Sequence, residues 1–401
     1  MEIARRPFNA LIAGGLALLG ASPGRLGAAT ARQSRGWGSF LDDDQWHDFE
    51  LVTGNTILVP AEVAGLHAEA MLDSGSHVSM VSRRLAERAG LTGTARTIRG
   101  NSGRAQASAV EGLAVKLLGA QQTLPLAVIT DLDVPSAAFG RQLDLIAGED
   151  TLAGRCVAID FAARRIATAL SGRFTGGAGW TSAPVSHGGN GELLVPASVN
   201  GRTKAPFIFD LGSSTGVTLS GVYVKEQGII GSRRTSTAAV GGVEGMREAA
   251  VFTVDDLEVA GSVVRHVPAL AADPWLSSSA VGNIGLPAIA QFDVVLDISA
   301  GTVWLRGGPD PRRPPMLKDR SGLGLQALPD GLLIVHVARG SPAESAALRA
   351  GEKIVAVDGK PVDATYTRGD LWRWRFRPPG TPVKLQLSAE RQILLRLADY
   401  Y

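Results

Sequence analysis

Cysteine, aromatic residues and net charge are all scarce in this chain of 401 residues. Its one cysteine, Cys156, cannot form an internal disulfide bond, and no base beside it marks it as a reactive thiol. Aromatic residues make up 5% of the chain, so we expect cores built from Val, Leu, Ile and Ala. The formal net charge of +2 gives no reason to expect nucleic acid or an anionic membrane as a partner. The six histidines are scattered without zinc-binding spacing, so the sequence predicts no metal and no organic cofactor.

The first 31 residues have the pattern of an export signal. Arg5 and Arg6 precede the apolar stretch FNALIAGGLALLGA, and residues 29–31 form a small-x-small cleavage site. The apolar stretch is too short and glycine-rich for a comfortable transmembrane span. The paired arginines also fit a twin-arginine signal, with a Sec signal or an uncleaved anchor as alternatives. We therefore expect a periplasmic or secreted protein, membrane-anchored if the signal is not cleaved.

An internal repeat covers most of the remaining chain. One apolar run ends in the triplet Asp-Ser-Gly at residues 73–75, and a second ends in Asp-Leu-Gly at residues 210–212, an offset of 210 − 73 = 137 residues. The same offset separates Gly148 in LIAGED from Gly285 in NIGLPA, since 285 − 148 = 137. Short Val- and Leu-rich runs between Gly, Pro and polar turns predict that each unit is all-β. One helix is expected, over residues 82–91.

These motifs resemble the aspartic proteases, and within them the retropepsin-like fold. The family pattern is an apolar run, then Asp-Thr/Ser-Gly, and later two apolar residues followed by Gly. The resemblance covers roughly residues 50–306 and implies an all-β bilobal aspartic-protease fold, with tandem retropepsin-like lobes in one chain and no homodimer required for the active site. The predicted boundaries are 1–31 for the signal peptide, 32–175 and 176–306 for the two lobes, 307–320 for a linker and 321–401 for a further domain.

The resemblance implies that Asp73 and Asp210 are a catalytic pair that cleaves polypeptide. Two adjacent carboxyl groups cannot both ionise cheaply, so they share one proton and titrate together. One can then deprotonate a water while the other protonates the scissile carbonyl. Glycines allow the tight turns, and the hydroxyls of Ser76 and Ser213 are expected to donate to the carboxylates. The predicted supporting residues of the two catalytic loops are Ser74, Gly75, Ser76, Gly212 and Ser213.

Two glycine-rich hairpins are expected to close over an extended substrate. Their candidate tips are Gly100, Gly103, Gly241 and Gly242. Leu211 departs from the family pattern, because it stands where relatives have a Thr or Ser whose hydroxyl braces the opposite loop. Ser74 can make its half of that brace. The departure leaves open a non-catalytic peptide-binding or adaptor protein with an inactive dyad, or an enzyme that cuts only its own linker.

The C-terminal stretch after the Pro/Arg-rich linker resembles a PDZ domain of the bacterial, protease-associated kind, a small α+β fold. It contains GLGL at 322–325, the strand LLIVHV, a short helix capped by Ser341, and AGEKIVAVDGKPV. The resemblance implies that peptide C-termini dock here by strand addition, with the carboxylate on backbone N–H groups and the two leucines facing an apolar pocket. The residues concerned are Gly322, Leu323, Gly324 and Leu325. Alternatively, the domain only packs on the lobes and its groove is empty or filled internally.

Overall fold

The computed structural model describes residues 37, 40–41, 45–99, 104–242, 245–387 and 391–401. The predicted export signal lies outside the described residues and stays a prediction. Within the described part of the chain, no helix is long and apolar enough to cross a membrane. Residues 39–401 form one compact unit, which is mostly β.

The described residues of the first repeat, within 46–170, form strands, two short α-helices and the 3₁₀ helix Glu149–Thr151. The elements are β1 Trp46–Asp48, β2 Glu50–Val52, β3 Thr56–Val63, β4 Leu66–Leu72, β5 Met80–Ser82, α1 Arg83–Arg88, β6 Thr94–Arg99, β7 Arg104–Leu117, β8 Ala120–Thr130, α2 Asp133–Phe139, β9 Leu145–Ala147, β10 Arg155–Asp160 and β11 Arg165–Leu170. The predicted helix is confirmed as α1, and the Ser82 hydroxyl caps it by accepting the Leu85 N–H at 3.1 Å.

The described residues of the second repeat, within 181–306, have the same succession of strands as the first, with α-helices after the fifth and ninth strands instead of the fifth and eighth. They are β12 Thr181–Pro184, β13 Ser186–His187, β14 Leu193–Val199, β15 Ala205–Asp210, β16 Val217–Ser220, α3 Gly221–Glu226, β17 Ser236–Gly242, β18 Gly245–Val259, β19 Ser262–Ala272, β20 Gly282–Gly285, α4 Leu286–Ile289, β21 Asp293–Asp297 and β22 Thr302–Arg306.

The two repeats have one sheet topology. The first eight-stranded sheet has the order β2-β3-β4-β9-β5-β8-β7-β6, and the second has β13-β14-β15-β20-β16-β19-β18-β17, with each strand at the equivalent place. A six-stranded sheet, β1-β11-β10-β21-β22-β12, joins strands of both repeats through β10 and β21. One hydrophobic core runs through both repeats. The duplication expected from the sequence is therefore present in the topology.

Tight hairpins between equivalent strands explain how two diverged sequences keep one topology. The connection between β3 and β4 is the turn Ala64-Gly65 alone, whereas residues 200–204 connect β14 and β15 and begin with the turn Asn200-Gly201. All four residues have positive φ, between 48° and 78°, as two-residue turns that match strand twist require. Such turns fix strand register, so that each apolar strand delivers its acidic end to the same place.

Residues 321–401, the C-terminal module, form a separate small core beside the two repeats. One sheet has the order β23-β24-β25 and the other has β27-β26-β28-β29. The elements are β23 Leu323–Leu328, β24 Gly331–Val337, α5 Pro342–Ser345, β25 Lys353–Ile354, β26 Ala356–Val357, β27 Lys360–Pro361, a 3₁₀ helix Leu371–Phe376, β28 Pro382–Gln386 and β29 Gln392–Arg396. The Ser341 cap of α5 is present, since its hydroxyl accepts the Glu344 N–H at 3.2 Å.

Candidate active site

Asp73 and Asp210 stand at the ends of equivalent buried strands. Asp73 follows β4 and donates its N–H to the Ala147 carbonyl at 2.9 Å, while Asp210 ends β15 and pairs in parallel with Gly285. The Oδ1 of Asp73 accepts the Gly75 N–H at 2.9 Å. Burial of both strands on apolar neighbours therefore fixes the position at which each carboxyl group leaves the sheet.

The glycines of the two loops bring the carboxyl groups together crosswise. A Cβ atom on Gly75 would lie less than 3.0 Å from the carboxyl group of Asp210, and one on Gly212 would lie equally close to that of Asp73. Any larger residue at either position would collide with the opposite acid. Gly75 and Gly212 are thus required for the approach of the two loops.

Ser74 braces the two loops from one side. Its hydroxyl donates to the Phe209 carbonyl at 2.7 Å and accepts the Leu211 N–H at 3.0 Å. Leu211 is completely buried in the shared core of the two repeats. Ser74 therefore makes its half of the expected brace, and Leu211 contributes packing in place of the missing hydroxyl.

The expected role of the Ser76 and Ser213 hydroxyls is wrong. The Ser76 hydroxyl donates to the Val78 carbonyl at 2.8 Å, and the Ser213 hydroxyl accepts the Thr215 N–H at 3.5 Å. The donor to Asp210 is instead the backbone N–H of Ser213, at 3.0 Å, beside that of Gly212 at 2.8 Å. The tight turn points backbone N–H groups at the acid, so the side chains are free to stabilise the loop itself.

Gly148 and Gly285 let a backbone cross closely behind each loop, as expected. A Cβ on Gly148 would lie 2.7 Å from the Ser76 carbonyl oxygen, and one on Gly285 would lie 2.8 Å from that of Ser213. The residue after each glycine donates its N–H to the same carbonyl, at 2.9 Å in both repeats. This matched pair of contacts holds each glycine motif against the loop that carries the aspartate of the same repeat.

The surroundings of Asp73 favour its protonated form. Burial raises the pKa of Asp73 well above its usual value, and the negative charge of Asp210 and a hydrogen bond with its carboxyl group raise it further. The backbone N–H groups of Gly75 and Ser76 oppose this rise. A carboxyl group with a raised pKa beside a second carboxyl group is the arrangement in which two acids can share one proton.

Asn283 is a site residue that sequence reasoning missed. It is buried on β20, and its side-chain amide donates to Oδ2 of Asp210. The equivalent position in the first repeat, 283 − 137 = 146, is Ile146. Aligning the two repeats by their offset of 137 residues would have revealed it, because a polar residue replaces an apolar one inside the second glycine motif.

The candidate flap residues lie only in part within the described chain. Gly100 and Gly103 lie outside the described residues. Gly241 and Gly242 are the last residues of β17, where they pair with Met246 and Gly245 of β18. The pairs β6–β7 and β17–β18 are antiparallel, so the two expected hairpins are confirmed as strands.

The residues predicted to bind a peptide terminus are engaged within the module. The Gly322 N–H donates to Asp319 at 2.8 Å and the Leu323 N–H to the Ser321 hydroxyl at 3.2 Å. Gly324 and Leu325 pair with β24. Leu323 is buried in the module's own core, and its expected place in a peptide pocket stays a prediction. Asp319 and the Ser321 hydroxyl each accept one of the backbone N–H groups expected to receive a peptide carboxylate.

Among the described residues, one group combines side chains suited to metal binding: His77, Glu149 and His187. It lies beside the first catalytic loop, because the Glu149 N–H donates to the Ser76 carbonyl.

Comparison with known proteins supports the family suggested by the two motifs. The family model described as aspartyl protease matches residues 59–146 and 195–288, one match in each repeat. Each match contains one aspartate of the pair and extends to the second glycine motif. A search of curated proteins finds no match. The two repeats are therefore similar to aspartyl proteases, which indicates a peptidase.

Proposed function

We propose that this protein is an aspartic-type endopeptidase that cleaves extended polypeptide segments. The observation that carries the proposal is the crosswise approach of Asp73 and Asp210, one from each repeat, with the pKa of Asp73 raised by burial and by the other acid. Paired carboxyl groups with one shared proton are suited to acid–base activation of water.

The two acids have different surroundings, which suggests different roles. Asp210 accepts hydrogen bonds from two backbone N–H groups and from the Asn283 amide, whereas burial and the neighbouring acid raise the pKa of Asp73. Asp73 holds the shared proton. In the proposed mechanism Asp210 removes a proton from the attacking water, while Asp73 donates its proton to the carbonyl oxygen of the scissile bond.

We further propose that the C-terminal module, which resembles a PDZ domain, regulates access to this site. Its strands β23 and β24 pack against β17 of the second hairpin, and β23 also packs against α2 of the first repeat. The Ser236 hydroxyl donates to the Arg339 carbonyl at 2.5 Å, and Thr237 bonds with His336 at 3.0 Å. Lifting the second hairpin requires these contacts to break.

The C-terminus adds an apolar contact to the same hairpin. Tyr400 and Tyr401 are buried together with Ala249 and Val251 of β18. The Lys318 ammonium donates to the Tyr401 carbonyl at 2.5 Å. Because Asp319 and the Ser321 hydroxyl accept the Gly322 and Leu323 N–H groups, these contacts support gating better than docking of a substrate tail at that loop.

The test is cleavage of a denatured protein by the purified full chain between about pH 3 and 7, the range in which paired carboxyl groups titrate. Asp73→Asn and Asp210→Asn are compared with Asp330→Asn, which alters an exposed carboxylate of the C-terminal module. We expect cleavage to be lost in the first two variants, kept in the third, and blocked by a statine-type transition-state analogue.

Other outcomes would replace the proposal. Cleavage that persists in both dyad variants would overturn it. Folded wild-type protein that binds unfolded polypeptide without cutting it would establish the non-catalytic peptide-binding alternative. Mass spectrometry of the chain itself identifies the third alternative, a single cut within residues 306–320 with no cleavage of added protein.

A further inference from the structure

Three side chains of metal-binding type converge from distant parts of the chain. His77 follows the first catalytic loop, Glu149 follows Gly148, and His187 ends β13 of the second repeat. One candidate ligand atom from each lies within 4.8 Å of the others. Glu149 lies 72 positions after His77 and 38 before His187, so sequence analysis has no short spacing motif to detect.

Glu149 is the buried member of this group, at 5% exposure. Its Oε1 contacts both imidazoles, Nδ1 of His77 directly and Nε2 of His187 at 3.2 Å. Its Oε2 is enclosed and has no hydrogen-bond partner among the described residues. A buried carboxylate oxygen without a partner is costly, and a bound cation would satisfy it.

The two imidazole rings lie where one ion can contact both of them, Glu149 and a solvent water. Their ring centroids are 6.2 Å apart and the ring planes are inclined at 76°, so the rings converge without stacking. Their side chains are 56% and 45% exposed, which leaves room for an ion to enter and for a water to complete its coordination.

The backbone around the group holds its members in place. Glu149 is tied to the first catalytic loop through its N–H, which donates to the Ser76 carbonyl at 2.9 Å. Gly191 packs directly on His77, since a Cβ there would lie 2.7 Å from the ring. Gly191 belongs to the turn after β13, so the second repeat forms one wall of the group.

We propose that His77, Glu149 and His187 bind a divalent transition-metal ion, with zinc as the best fit. His77 Nδ1, His187 Nε2 and one Glu149 oxygen supply three ligands, and water supplies the fourth position of a tetrahedron. Two imidazoles favour zinc and its neighbours over calcium or magnesium, which prefer oxygen ligands. The ion ties the loop that carries Asp73 to the second repeat.

The test uses the full chain carrying no polyhistidine tag, stripped with a chelator and titrated with zinc by calorimetry. Cobalt is the second probe, because tetrahedral cobalt gives visible absorption bands that report its ligands. We expect one ion per chain, with affinity at least about tenfold weaker in Glu149→Gln and His187→Asn, since even outer contacts of a metal ligand are worth that much. His67→Asn, an exposed histidine outside the group, is the matched control and should bind as wild type.

A thermal measurement gives a readout that does not depend on proteolysis. Zinc should raise the unfolding midpoint of the wild type and of His67→Asn, because an ion that binds only the folded state stabilises it. It should leave the midpoint of His187→Asn nearly unchanged; this residue is on the exposed rim, so its replacement is compatible with folding. Folded, stripped wild type that binds neither ion, or equal binding in both ligand variants, would overturn the proposal and leave a histidine–glutamate hydrogen-bond cluster.

Discussion

The Asn283 amide donates to Asp210, whereas the equivalent residue of the first repeat, Ile146, has no polar group to offer Asp73. The duplicated site is therefore chemically asymmetric although its topology is symmetric. Burial raises the pKa of Asp73 well above its usual value, and the negative charge of Asp210 raises it further. The asymmetry places the shared proton on the first repeat.

Replacing Asn283 by Leu should lower kcat/KM for polypeptide cleavage about ten- to a hundredfold, since a hydrogen bond to a charged group is worth about 1.5–3 kcal/mol. The acid limb of the pH profile should move to higher pH, because the carboxylate of the pair loses a stabilising donor. Gln392→Ala, which removes an exposed amide on β29, is the control. A pH profile that stays in place would show that Asn283 acts only in packing.

Sequence analysis predicted the duplicated architecture because its signals are local. Apolar runs ending in acids, paired glycine motifs and two-residue turns each depend on neighbouring residues, and the strands appear where they predict. The partners of side chains were harder to predict. The Ser76 hydroxyl donates within its own loop, and Asp319 and the Ser321 hydroxyl accept the Gly322 and Leu323 N–H groups. These partners depend on which groups the fold brings close. The histidine–glutamate group comes from three segments, so only the folded chain shows it.

Asp73→Asn should stabilise the folded protein, and more so at neutral than at acidic pH. The pKa of Asp73 is raised on folding, so from the usual value of 3.8 up to the raised value the folded state binds more protons than the unfolded state. In that window the free energy of unfolding of the wild type falls as pH rises. Each unit of pKa shift changes the free energy of unfolding by at most about 1.4 kcal/mol, and by less here because Asp73 is partly exposed.

The measurement is the thermal midpoint of wild type and variant at pH 4, 5.5 and 7. The difference between the two should widen as pH rises. Asp330→Asn is the comparison, because its exposed carboxylate has a pKa lowered by Lys353 and should show no such gain. A constant difference across this pH range would mean that the acids do not share a proton.

Ser74→Ala should destabilise the protein by about 1–3 kcal/mol, because it leaves the buried Phe209 carbonyl and Leu211 N–H without their partner. Ser76→Ala is a matched change two residues away in the same loop and removes only a local bond to Val78, worth about 1 kcal/mol or less. Urea unfolding of both variants gives the comparison. Equal costs would argue against Ser74 as the brace between the two loops.

A disulfide between α2 and β23 tests whether the C-terminal module must move for substrate to enter. A Cβ on Gly140, at the end of α2, would lie 3.6 Å from that of Ala327 on β23, within the range that disulfides accept. The Thr367 side chain must shift slightly, since it lies 3.1 Å from that Cβ. Cys156 is completely buried and should not compete for the new thiols.

In the Gly140→Cys, Ala327→Cys double variant, oxidation should lower cleavage of a denatured protein at least about tenfold, and reduction should restore it, as expected for a closed gate. The two single variants control for the strain of a non-glycine residue at φ +62°. Bond formation is checked by free-thiol counting on the unfolded chain. A fully crosslinked protein that cleaves as fast as its reduced form would show that the module is fixed during catalysis, and the contacts of Thr237 with His336 would then serve stability alone.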